Sequence, residues 1–178
     1  LLAVFLPFGL AVELLDQLSG VRVSDAAVWQ WVQHFGAQQM HQVQLEMNTW
    51  QQGSKVPVEV MDEEVATLPL LIGADGVTVP FRPHPKSNKG KIVYQEIKVG
   101  LLTRLGSRIQ QSGKTVSQLL QRRLVALRGT VNDLQPLLEL EAHRQQINQA
   151  KQVVWISDGA RGFWRLFEQC FSSVAIGI

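Results

Sequence analysis

Apolar positions recur with a helical period up to about residue 52 and with a strand-like period beyond Pro69. Ala11, Leu14, Leu15 and Leu18 share one helical face and are followed by Ser19 and Gly20, a stop signal. Ser24 is a good N-cap for a second helix, whose apolar stripe is Val28, Trp31, Val32 and Phe35. The short Ser-Gly-Val-Arg-Val-Ser connection makes the pair a helix-turn-helix candidate, although a plain helical hairpin has the same pattern. Residues 38–52 are Gln-rich and helical in character, and Gly53, Ser54 and Pro57 open a stretch expected to be a linker over 53–68. Its Asp62, Glu63 and Glu64 point in different directions on any regular element, which favours a solvated cluster over a metal site.

Past Pro69 the pattern predicts strands at 70–81 and 92–105, separated by the loop RPHPKSNKGK, and a third strand at 122–127 bounded by Gly129. An amphipathic helix is expected from about Asp133 to Gln149, then an apolar strand from Val153 to Ile156, a helix through ARGFWRLFEQCF, and a last strand from Val174. Three strands followed by helix, strand, helix and strand define an α/β domain over residues 69–178, preceded by an all-α segment at 1–52.

Charge narrows function little. The 17 Lys and Arg against 15 Asp and Glu leave a net charge of +2, so any nucleic-acid contact must come from local clusters. Such clusters are Arg22, Ser24, Gln30 and Gln33 around the second helix, and Arg82, His84, Lys86, Lys89 and Lys91 in the basic loop, with Lys98 and Arg104 nearby. A solvated hairpin loop would have the same composition. The single cysteine, Cys170, excludes an internal disulfide and a multi-cysteine zinc site and suits a reducing, cytoplasmic setting; between Phe167 and Phe171 it reads as a core thiol. The apolar start is broken by Pro7 and Gly9 and followed by Glu13 and Asp16, too short a run to span a bilayer. Both ends read as cut from a longer chain.

The chemistry concentrates on two Asp-Gly pairs. Asp75 lies within the first strand and Asp158 at the end of the fourth, so the two carboxylates converge if those strands are neighbours. Such a pair suits Mg²⁺ or Mn²⁺ with open coordination positions, and two ions roughly 3.5–4 Å apart support phosphodiester transfer. Taken singly, each Asp is better explained by a turn, and Asp158 by a cap on the helix starting near Ala160; it is the pair that favours catalysis. The histidines show no zinc spacing, and Trp29, Trp31, Trp50, Trp155 and Trp164 are expected in cores.

Three runs resemble the DDE transposases of bacterial insertion sequences, in particular the ISKra-type group. They are Gly-Ala-Asp-Gly-Val-Thr-Val-Pro around Asp75, Glu-Ile-Lys-Val-Gly at 96–100, and Trp-Ile-Ser-Asp-Gly-Ala-Arg-Gly-Phe-Trp at 155–164. The stretch from Leu18 to Ser24, leading into Val28 and Trp31, resembles the helix-turn-helix ahead of the catalytic domain in that group. The resemblance implies an RNase H-like core, incomplete here with five strands, with Asp75 and Asp158 as the first two metal-binding acids of an Asp-Asp-Glu triad. It implies two divalent ions, transposon-end and target double-stranded DNA as partners, self-association of the full-length protein, and a third acid beyond residue 178. Glu141 and Glu168 do not occupy its place, which leaves the chain catalytically incomplete on this reading. A non-enzymatic helix-turn-helix DNA-binding protein and a decayed remnant of a mobile element are the alternatives.

Overall fold

The computed structural model describes residues 2–81 and 92–178, and the chain divides into two compact units between Gln52 and Gly53. The basic loop with Arg82, His84, Lys86, Lys89 and Lys91 lies outside the described residues.

The first unit is helical: α1 (Leu2–Phe5), α2 (Phe8–Ser19) and α3 (Asp25–Gln51). Gly20 ends α2 in the left-handed conformation at φ 69°, donating its N–H to the Asp16 carbonyl at 2.7 Å. Ser24 caps α3, its Oγ accepting from Ala27 N at 3.2 Å. The second helix and the Gln-rich segment are one continuous helix of 27 residues, on the order of 40 Å long at 1.5 Å per residue. Helix α2 has 12 residues and covers less than half that length, so within this unit only Val28 of α3 is buried. Trp29 and Trp31, expected in a core, are therefore 51% and 48% exposed, and Phe35 of the same expected stripe is exposed too.

The second unit is a mixed α/β domain. Its sheet has five strands in the order β3-β2-β1-β4-β5: β1 (Leu70–Phe81), β2 (Val93–Ile109), β3 (Thr115–Leu127), β4 (Val153–Ser157) and β5 (Ile176–Gly177). The first three form an antiparallel meander, while β4 joins β1 in parallel and β5 joins β4 in parallel. Strand β3 begins seven residues before the expected start at 122, because a bulge interrupts its alternation. Thr103 of β2 faces both Gln121 and Arg122 there, with Gln121 at φ 47°.

Two helices, α5 (Val131–Arg144) and α6 (Arg161–Cys170), cover one face of the sheet. Thr130 and Asp133 start α5 as a reciprocal capping box, and the Thr130 bonds hold the Asp133 carboxyl below its ordinary range. The expected helix to Gln149 breaks at Gln146, whose φ of 52° ends α5 before a 3₁₀ turn at Ile147–Gln149. Strand alternation sends Leu70, Ile72, Ala74, Leu102, Val153 and Trp155 into the core beneath Leu134, Leu138, Phe163, Leu166 and Phe171. Gly100 is required there by close approach, since a Cβ would overlap the Leu138 and Val125 side chains. Among the described residues α5 and α6 leave the opposite face uncovered, and Leu124 and Ile156 on it are exposed.

Residues 53–68 are not a free linker but are docked on this unit. Val56 is buried and its carbonyl meets His143 Nε2 at 2.9 Å, while Glu59 N donates to the Arg144 carbonyl at 2.9 Å. Glu59 also accepts two bonds from the Arg123 guanidinium, at 2.8 and 3.2 Å, and one from Gln145 Nε2 at 2.8 Å. The acidic cluster that follows starts the single-turn helix α4 (Glu63–Ala66), with Asp62, Glu63 and Glu64 all solvated.

Candidate functional site

The site is built by the end of β4. In the parallel β1–β4 ladder the last register pair is Ala74 with Ser157, so Asp75 and Asp158 are each the next residue beyond it. Adjacent strands run about 4.8 Å apart, which brings the two carboxylate-bearing positions alongside one another. Because Leu70, Ile72 and Ala74 point into the core, Asp75 alternates onto the face that the helices of this unit leave open. Strand β1 runs on to Phe81 with β2 alone as its described partner, which leaves its β4-side edge free beside Asp75.

An open cleft of about 260 Å³ lies here, lined by Gly73, Val99, Leu101 and Ile156 together with Asp75 and Asp158. A larger depression of about 510 Å³, over the β2–β3 turn at Arg108–Ser112, holds no acidic side chain. Each aspartate uses one oxygen locally: Asp75 Oδ1 accepts from Gly76 N at 2.7 Å and Asp158 Oδ1 from Ala160 N at 3.0 Å. Asp158 is thus in an Asx turn ahead of α6, and the N-cap of that helix is Ala160, with no side-chain cap. The second oxygen of each carboxylate has no protein hydrogen bond among the described residues, and both side chains are exposed. The Asp158 carbonyl is anchored by Trp164 Nε1 at 2.8 Å.

Two exposed hard-oxygen donors with free coordination directions fit a divalent cation that keeps most of its water. Among the described residues no group of three His, Cys, Asp or Glu side chains is placed to hold a metal. Glu141 is committed elsewhere, receiving Arg144 Nη1 at 2.5 Å at the end of α5.

Of the basic residues proposed to follow a nucleic-acid backbone, Lys98 and Arg104 are buried and unavailable for it. Their parity with Gly100 and Leu102 was the signal in the sequence. Arg22 is exposed and pairs with Asp16 at 3.3 Å, while Gln30 and Gln33 are exposed on α3, a helix that contains no Lys or Arg. The Ser24 hydroxyl is already used as a cap.

The surroundings of Cys170 disfavour its thiolate. Burial, and a hydrogen bond with the charge of Glu139, push its thiol up to about 12. At pH 8 the thiolate is then roughly one part in ten thousand. Iodoacetamide at pH 8 is expected to label the folded chain more than about tenfold more slowly than a free cysteine peptide, with the difference abolished in denaturant. Equal rates in the folded chain would show the thiol to be exposed and normal.

No helix among the described residues is long and apolar enough to cross a membrane. Compared with known proteins, the chain matches no family model, no curated protein and no solved structure.

Proposed function

We propose that the second unit carries two of the metal-binding acids of an RNase H-like DNA transposase, of the DDE type that the runs around Asp75, Glu96 and Asp158 resemble. The observation that supports this reading best is the β1–β4 register, with Asp75 and Asp158 each one residue past the last pair. On this reading Asp75 and Asp158 hold Mg²⁺ or Mn²⁺, and the bound metal supplies activation of the attacking oxygen and neutralisation of the leaving one during phosphodiester transfer. The open sheet face leaves room for a DNA strand beside the pair. The α2–α3 hairpin is the DNA-binding element of this reading, with contacts from Arg22, Gln30 and Gln33.

The test is Mn²⁺ binding to the purified chain, followed by electron paramagnetic resonance of the free ion. Asp75→Asn and Asp158→Asn are each expected to weaken binding by about tenfold or more, because each removes a charged ligand. Wild-type affinity in both variants would remove the metal site and the phosphoryl chemistry with it.

A further inference from the structure

The Glu96–Lys98 pair on β2 lies on the face of the sheet opposite the Asp75 carboxylate, against Gly76 beside Asp75 and against Phe163, the neighbour in sequence of the residue that holds Asp158. Lys98 Nζ pairs with Glu96 Oε2 at 2.6 Å, and the lysine side chain is only 11% exposed. Lys98 stands opposite Gly76 in the β1–β2 register, and Glu96 opposite Thr78. The Glu96 carboxylate lies across the bare Gly76 backbone, where any side chain on residue 76 would overlap Oε1. The Gly76 N–H is the group that holds Asp75 Oδ1. On its other side Lys98 Nζ sits 5.4 Å from the centre of the Phe163 ring, a cation–π contact with the first turn of α6. The next residue of α6, Trp164, holds the Asp158 carbonyl. Contacts therefore run from Asp75 through Gly76, Glu96 and Lys98 to Phe163, and the helix backbone joins Phe163 to Trp164 and so to Asp158.

A desolvated ammonium is costly, and an apolar side chain of the same volume would serve the core as well or better. The ionic form is useful where it specifies geometry. From this we infer that Glu96 and Lys98 are positioning residues that hold the Asp75 strand and the Asp158 turn at the spacing that one cation, or a pair, requires. The inference rests on the metal-site reading of Asp75 and Asp158. It concerns affinity for the metal itself, so the full 178-residue chain suffices to test it.

Mn²⁺ affinity and the spectrum of the bound ion are measured for the wild type, Lys98→Met, Lys98→Arg, Glu96→Gln and Asp75→Asn, alongside thermal midpoints. Lys98→Met is expected to bind Mn²⁺ about tenfold or more weakly, the usual size of an effect beyond the ligands themselves, while melting at or above the wild-type midpoint. Lys98→Arg, which keeps charge and reach, is expected to recover most of the affinity. Glu96→Gln keeps the volume and loses the charge, and is expected to match Lys98→Met; it carries the test alone if Lys98→Met does not fold. Wild-type affinity and an unchanged spectrum in Lys98→Met or Glu96→Gln, with binding lost in Asp75→Asn, would overturn the positioning role and leave the metal site standing. Wild-type affinity in Asp75→Asn would overturn both.

Discussion

Arg104→Ala is expected to destabilise the second unit by about 3–5 kcal/mol, seen as a lower urea midpoint with the slope unchanged. The Arg104 side chain is fully buried. Its Nη1 donates to the Leu68 carbonyl at 2.8 Å, and its Nη2 donates to the carbonyls of Gln145 and, at 3.0 Å, Gln146. Those last two carbonyls terminate α5, where the helix dipole presents partial negative charge and no intrahelical donors remain. Burial lowers the guanidinium pKa, but an arginine stays charged at any relevant pH. Truncation leaves the Leu68 and Gln145 carbonyls without a donor and the Gln146 carbonyl with the Gln149 N–H alone, at 2.9 Å. Arg104→Lys keeps the charge and loses the planar fork that spans three carbonyls, so an intermediate loss is expected. A change below about 1 kcal/mol for the alanine variant would mean that other donors replace the guanidinium.

Trp155→Ala is expected to cost a similar amount, about 3–5 kcal/mol, through the cavity it leaves. The indole is fully buried, with Phe171 stacked on it at 5.5 Å between ring centres and Phe167 at 5.8 Å. Its Nε1 has no hydrogen-bond partner among the described residues. Trp155→Phe removes that unsatisfied donor along with some volume, and the two effects oppose one another. Its expected cost is within about 1.5 kcal/mol. Equal losses for the two variants in calorimetry would show that the indole N–H, rather than ring volume, is what the site needs. Trp155, on β4, stands three residues before Asp158, so the alanine variant should also loosen the register on which the proposed metal site depends.

Much of the site's ingredients could be read locally. The alternation of Leu70, Ile72 and Ala74 with Gly73 and Asp75 assigns Asp75 to the solvent side of its strand before any pairing is known. The apolar run at 153–156 and the amphipathic pattern after it place Asp158 at a strand end ahead of a helix. Other positions were misread because their environment comes from residues far away in sequence. Lys98 and Arg104 look like solvated cations beside a basic loop, yet Phe163 and the end of α5 enclose them. Residues 53–68 have a linker's composition, but Glu59 answers Arg123 and Gln145, whose positions depend on β3 and α5. The bulge at Thr103 hid the first half of β3, because two residues against one break the period on which strand reading relies.

The sequence by itself determined the order of the strands and helices beyond Pro69 and most of their extents, because helical and strand periods are properties of neighbouring residues. It also marked Asp75 and Asp158 as two Asp-Gly turns of equal and small individual weight. Only the tertiary structure decided that β4 lies beside β1, parallel to it and ending at Ser157, so that the two aspartates emerge together from adjacent strands. Strand partnership is settled by which apolar faces α5 and α6 can bury at once, a long-range packing condition that no local period encodes.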